Sequence, residues 1–155
     1  MNSTPPPVSS PELASLDRDL GSDGASVVRS LAALLRDEGR VSDLDVFVDA
    51  VMAREALGST VLPGGIAMPH ARSHAAIAPS VAVARLPEPV SFSSGSAPVR
   101  LVLLIAAPGD DSPGYLALLQ KIATACVKQA FVSDLSEART TEALADLVGT
   151  AVAKR

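Results

Sequence analysis

The chain has 155 residues, 48% hydrophobic and 19% charged, with a formal net charge of −4. That composition suits one globular domain, which can bury roughly 70% of its unfolded surface without cross-links. Trp is absent and Tyr occurs once, so the core is aliphatic; no base-stacking platform or basic footprint for nucleic acid is expected.

Along the chain, residues 1–12 are Ser/Pro-rich, with Pro5, Pro6 and Pro7 in a row, and read as a disordered tail. Residues 13–155 make up the expected domain. A weak strand signal covers Leu13–Leu20. Val27, Val28, Leu31, Leu34 and Leu35 recur at helical spacing and predict a helix over Ala25–Arg36, with Gly39 as its C-cap. Ser42 reads as the N-cap of a second helix carrying Leu44, Val46, Phe47, Val48, Val51 and Met52. That helix runs to Leu57 and stops at Gly58. Ser59–Met68 is extended and interrupted by Pro63-Gly64-Gly65. Pro69 biases Met68 away from helix and marks a boundary.

Ser80–Leu86 alternates as a strand. Val99–Ala107 is almost continuously apolar, the pattern of a strand buried on both faces between helix layers. Pro108 and Gly109 end it, and Asp110–Gly114 reads as a polar turn in which Asp110 and Asp111 are solvated. Helices are predicted over Tyr115–Gln129, Phe131–Ala138 and Glu142–Ala153, the last capped by Thr140 or Thr141. The alternation implies a single layered α/β domain with helices on both faces of its sheet. The pattern does not reveal the strand order.

Cys126 is the single cysteine and cannot form an intramolecular disulfide, which fits a reducing cytosol. The N-terminus has no basic stretch followed by an apolar run. No apolar stretch approaches the roughly 20 residues of a membrane span. A cytoplasmic location is expected. On the apolar face of its helix, Cys126 reads as core rather than as a reactive thiolate.

Both histidines, His70 and His74, lie within five residues of each other. His70 follows a proline that closes an extended segment. Pro fixes its own φ and donates no backbone hydrogen bond, so it can hold the next side chain in a set direction. A neutral imidazole keeps a lone pair on one ring nitrogen near neutral pH, as phosphoryl transfer requires. That transfer depends mostly on positioning and charge stabilisation. Arg54, Ser59, Thr60 and Arg72 supply cationic and hydrogen-bonding groups nearby in sequence. The expected site is an uncharged ring facing solvent in a cationic recess. The i, i+4 spacing of His70 and His74 would suit a metal ion on a helix, but Pro69 and the lack of a third ligand argue against it. No metal or cofactor is expected, and no P-loop supports ATP binding.

Arg54-Glu55-Ala56-Leu57-Gly58-Ser59-Thr60, followed by Gly65-Ile66-Ala67-Met68-Pro69-His70-Ala71-Arg72, resembles the enzyme IIA component of the fructose–mannitol type. This component belongs to the phosphoenolpyruvate-dependent sugar phosphotransferase system. Val81–Leu86 and Val102–Pro108 extend the resemblance, which covers Leu20–Val152. It implies a mixed β-sheet flanked by helices and a phosphotransferase component that acts in sugar transport through a phosphohistidine. His70 would accept the phosphoryl group on Nε2 from the histidine-containing phosphocarrier protein. A cysteine of an enzyme IIB domain would receive it, and the membrane enzyme IIC would be served indirectly. Arg54 matches an arginine that neutralises phosphoryl oxygens, and Thr60 matches a hydroxyl position. Arg72 lies where many relatives carry other residues. Many relatives carry a second histidine at the start of the helix after the Ala-Ala-Pro turn, where this chain has Tyr115. That departure leaves open a regulatory module of the same fold that docks partners without efficient relay. His74 as a stand-in for the missing histidine is a weaker reading than a surface histidine, and a metal-dependent hydrolase is a third, weaker class.

Overall fold

The apolar run at Val99–Ala107 becomes the centre of a mixed sheet. The structure, a computed structural model, describes residues 7–92, 97–110 and 112–153. A 3-10 turn at Pro11–Leu13 leads into strand β1 (Ala14–Leu16), then helices α1 (Gly24–Asp37) and α2 (Leu44–Leu57). Three short strands follow, β2 (Val61–Leu62), β3 (Ile66–Ala67) and β4 (His70–Ser73). The long strands β5 (Ser80–Val90) and β6 (Val99–Pro108) precede α3 (Ser112–Cys126), α4 (Gln129–Glu137) and α5 (Thr141–Ala153).

The six-stranded sheet has the order β1-β5-β6-β3-β2, with β4 also paired to β6. Pairs β5/β6 and β2/β3 are antiparallel, whereas β1/β5, β3/β6 and β4/β6 are parallel. On β6, Leu101, Leu103 and Ile105 enter a core with Leu118, Ile122, Leu135, Leu144 and Val148 of α3, α4 and α5. The alternate residues Val102, Leu104 and Ala106 enter a second core with Val27, Leu31, Phe47 and Val51 of α1 and α2. Helices therefore cover both faces, as the continuous apolar run requires. Each buried Leu or Ile contributes about 1.5–3 kcal/mol, so the two cores dominate the stability of the fold.

Local chemistry sets the helix ends. The Asp23 carboxylate accepts the Ser26 N–H at 2.8 Å and caps α1. Gly39, at φ 74°, closes α1: its N–H donates to Arg36 at 3.0 Å and the Arg40 N–H donates to Leu35 at 2.8 Å. A left-handed residue in that closure favours glycine. Asp43, not Ser42, caps α2, accepting the Val46 N–H at 3.1 Å. Ser42 is tied to Ala75 instead, donating from its N–H at 2.8 Å and its hydroxyl at 3.2 Å. Helix α3 begins at Ser112, ahead of the expected Tyr115, because Pro113 is tolerated in a first turn where its N–H would have no partner. Asp111 of the expected turn lies outside the described residues. Thr140 caps α5, its hydroxyl accepting the Ala143 N–H at 3.0 Å.

Residues 1–6 of the expected tail lie outside the described residues. Residues 7–12 depart from the expected disorder. The Pro7 carbonyl accepts the Arg40 guanidinium at 2.7 Å, and the Val8 carbonyl accepts the Val81 N–H at 2.8 Å. The Ser9 hydroxyl donates to the Val81 carbonyl at 3.0 Å. Arg40 is buried, and a buried guanidinium needs acceptors; this segment supplies one. Among the described residues, no helix is long and apolar enough to cross a membrane.

Candidate functional site

β3 and β4 run in series along one edge of β6, separated by Met68 and Pro69. Ile66 and Ala67 pair with Leu101 and Val102, and His70–Ser73 pair with Ile105–Pro108. Between these pairs, the Pro69 carbonyl accepts the Ile105 N–H at 3.0 Å. Gly64 (φ 100°) and Gly65 (φ 74°) make the turn that brings β3 back along β2. His70 is thus the first residue of a strand anchored to the central strand.

The ring is more enclosed than expected: His70 is 7% exposed, not solvent-facing. Its Nδ1 lies 2.9 Å from the Met68 carbonyl. A carbonyl only accepts, so Nδ1 carries the hydrogen and the neutral ring keeps its lone pair on Nε2. Burial pushes the His70 pKa below its ordinary 6.5. The Met68 bond opposes that shift, the positive charge of Arg54 adds to it, and the negative charge of Glu55 opposes it. The ring is therefore uncharged at neutral pH.

Tyr115, in the first turns of α3, has its ring centroid 6.0 Å from that of His70 and is tilted by 54°. Burial raises the phenol above its usual 10.0, while Arg54 and Arg72 pull it back. It stays a neutral hydrogen-bond donor at physiological pH. Arg54, in the last turn of α2, donates from Nη1 to the Gly58 carbonyl at 2.9 Å. Arg54, Arg72, Ser112, Tyr115 and Leu116 line a recess of about 480 Å³. Two guanidinium groups and two hydroxyl-bearing side chains on an open recess form a surface suited to an oxyanion.

The structure thus brings Arg54, Arg72 and Tyr115 together in one recess, and of these Arg54 and Tyr115 also act on or lie against the His70 ring. Thr60 differs. It is buried, its hydroxyl donates to Glu55 Oε1, and its N–H donates to Glu55 Oε2 at 3.3 Å. The Thr60 donor is directed at a carboxylate and not into the recess, because the ionised carboxylate is the strongest acceptor within reach. His74 is exposed in the turn after β4 and lines a separate recess with Arg72, Gly109 and Asp110. His70 opens β4 and His74 lies in the turn after it, so the helical geometry for a shared ion does not arise. Among the described residues, no group of three or more His, Cys, Asp or Glu could hold a metal. Cys126 is 1% exposed, and burial pushes its thiol from 9.0 up to about 12. It is a core thiol, as expected.

Sequence reasoning missed Glu55. The available signal was its place directly after Arg54 and five residues before Thr60, the spacing at which the end of a helix can reach back to the segment leaving it.

Residues 11–149 match the family described as phosphoenolpyruvate-dependent sugar phosphotransferase system, EIIA 2. The chain is 36% identical over 130 residues to the nitrogen regulatory protein of Pseudomonas aeruginosa, covering 83% of this chain and 84% of that protein. It is 30% identical over 126 residues to the fructose-specific EIIA component of Haloferax volcanii, covering 81% and 82%. Against the fructose-specific EIIABC component of Bacillus subtilis, identity is 28% over 124 residues, and the chain spans 20% of that protein's length. Among solved structures, the nitrogen regulatory protein IIA-Ntr of Neisseria meningitidis superposes with a TM-score of 0.80 at 25% identity, covering 91% of this chain and 96% of that one. The complex of enzyme IIAMTL and phosphorylated enzyme IIBMTL from Escherichia coli shares the fold, with a TM-score of 0.73 at 21% identity, covering 90% and 95%.

Proposed function

The chain belongs to the EIIA 2 family of the phosphoenolpyruvate-dependent sugar phosphotransferase system, and on that premise we propose that it is a cytoplasmic phosphocarrier loaded on His70 Nε2. The observation that carries this reading is the Nδ1–H to Met68 carbonyl bond of 2.9 Å, which leaves Nε2 as the free lone pair. In the uptake step, Nε2 attacks the phosphorus of a phosphohistidine on the histidine-containing phosphocarrier protein. The Nε2–P bond forms as the donor N–P bond breaks, and that electron pair returns to the donor imidazole. His70 keeps its Nδ1–H, so positive charge develops on the ring, and the Met68 carbonyl faces it. Arg54, with Arg72 and the Tyr115 hydroxyl around the recess, neutralises the phosphoryl oxygens.

In the discharge step, a cysteine thiolate of an enzyme IIB domain attacks the same phosphorus, and the N–P electron pair returns to Nε2. A complex of a IIA protein with a phosphorylated IIB protein, on the same fold, supports such a partner. The membrane enzyme IIC would then be served indirectly. The test is incubation with the purified phosphocarrier cascade. A one-phosphate mass gain located on His70, lost in His70→Ala with the fold retained, is the expected result. Normal labelling of His70→Ala would overturn the assignment.

A second reading is a regulatory module that docks partners without efficient relay. Tyr115 favours it, since a phenol cannot provide the positive charge of a histidine there, and so does the 36% identity to a nitrogen regulatory protein. His70 that is labelled by the cascade but not discharged by a IIB cysteine would support this second reading over the first.

A further inference from the structure

Glu55 is in the last turn of α2, next to Arg54, and its two carboxylate oxygens both point at one residue. Oε1 accepts the Thr60 hydroxyl, and Oε2 accepts the Thr60 N–H at 3.3 Å. This clamp fixes the segment that leaves α2. The Thr60 carbonyl in turn accepts the Met68 N–H at 3.2 Å, one rung beyond the β2–β3 hairpin. Met68 then presents its own carbonyl to His70 Nδ1 at 2.9 Å. A continuous chain of hydrogen bonds therefore runs from Glu55 through Thr60 and Met68 to the imidazole.

We propose that Glu55 is a positioning residue: through Thr60 and Met68 it fixes the orientation and tautomer of His70, so that Nε2 alone offers a lone pair. The proposal rests on the reading of His70 as phospho-acceptor. Met68 lies between β3 and β4, where the ladder to β6 is interrupted, and its N–H partner is the Thr60 carbonyl. Without the clamp, Met68 can shift, and the carbonyl that holds Nδ1–H shifts with it. The charge of Glu55 acts on the same ring. Arg54 and Glu55 from α2 act on the His70 ring and Tyr115 from α3 lies against it, while Arg72, two residues on along β4, lines the recess with Arg54 and Tyr115. Of these, Glu55 is the carboxylate, and it favours the protonated ring against burial and Arg54.

The test uses the whole chain in three variants, Glu55→Ala, Glu55→Gln and Glu55→Asp. Nitrogen chemical shifts of the His70 ring report its tautomer and titration midpoint without any partner, with His74 assigned by its own substitution. Wild type is expected to hold one tautomer, Nδ1–H. Glu55→Ala is expected to mix tautomers, lower the midpoint and slow phosphoryl uptake by about tenfold or more, as misplaced reacting groups do. Glu55→Asp is expected to restore the single tautomer in part. If Glu55→Ala does not fold, Glu55→Gln decides: mixed tautomers support the proposal, whereas a single Nδ1–H tautomer overturns it even with a lowered midpoint, since loss of the carboxylate charge alone lowers the midpoint. A wild-type tautomer and midpoint in the folded variants would overturn it, as would an uptake loss matching only the unfolded fraction. If wild type takes up no phosphoryl group, the phosphocarrier reading fails, while the ring spectra still judge Glu55.

Discussion

Replacing Arg85 by Met should destabilise the protein by about 3 kcal/mol. The guanidinium sits on β5 with its side chain 11% exposed and bridges two elements. It makes a two-point contact with Asp17, from Nε at 2.9 Å and Nη2 at 2.8 Å. Its Nη1 also meets the carbonyls of Leu135 at 3.2 Å, Ser136 at 2.8 Å and Ala138 at 2.6 Å, at the C-terminal end of α4. Charged hydrogen bonds contribute about 1.5–3 kcal/mol each. Those to Leu135 and Ala138 are partly buried and count nearly in full, whereas water can replace the exposed ones to Ser136 and Asp17. Two such bonds near the lower end of the range give about 3 kcal/mol, or a Tm drop of about 6–12 °C in a domain of this size. Asp17 is 44% exposed, so Asp17→Asn should cost less than about 1 kcal/mol. Urea unfolding measures both variants, as a change of midpoint at constant slope. If Arg85→Met costs under about 1 kcal/mol, water substitutes for all the carbonyl contacts and the reasoning fails. If Asp17→Asn costs as much as Arg85→Met, the ion pair carries the effect and the reasoning fails on that side.

Two further outcomes are expected. With its thiol raised from 9.0 to about 12, Cys126 should react with iodoacetamide about a thousandfold more slowly in the folded protein, counting thiolate fraction alone; comparable rates with and without denaturant would refute the burial argument. Burial also places the folded His70 pKa below 6.5, so phosphoryl uptake should hold through pH 6.5 and fall only at lower pH. In the same window the unfolded chain binds the proton more readily, so stability at His70 is present above pH 6.5 and declines as pH falls toward the folded pKa. His70→Gln should remove that component from a urea titration against pH, and an acid limb of uptake centred at or above 6.5 would refute the shift.

The elements legible in the sequence were those whose own residues decide them. Val99–Ala107 could be placed at the centre of the sheet because a strand apolar on both faces has nowhere else to go. Gly39 could be read as a helix end because its closure needs a left-handed residue. The elements that long-range partners decide were not legible. β3 and β4 span only two and four residues, and what makes them strands is their pairing with β6, some 35 positions away in the registers Ile66–Leu101 and His70–Ile105. Ser42 and Asp43 are both good caps. The choice between them fell to Ala75, which engages Ser42 from across the fold. Residues 7–12 looked like tail because no local signal shows that Arg40 needs an acceptor. At the candidate site, motif and chemistry pointed to His70, Arg54 and Tyr115. The enclosure of the ring and the use of the Thr60 hydroxyl by Glu55 emerged only once α2, β4 and α3 were brought together.

His70 is held from two directions, by the strand pairing of β4 to β6 and by the Met68 carbonyl at Nδ1. The proposed loading and unloading of Nε2 would therefore call for no movement of the backbone that carries it. The two forms would share one outline and differ by about one net negative charge, the phosphoryl oxygens' near −2 set against the positive ring. A partner that tells full from empty must then sense potential, not contour. Such discrimination weakens as dissolved ions shorten the reach of that potential, which is about 8 Å at physiological ionic strength.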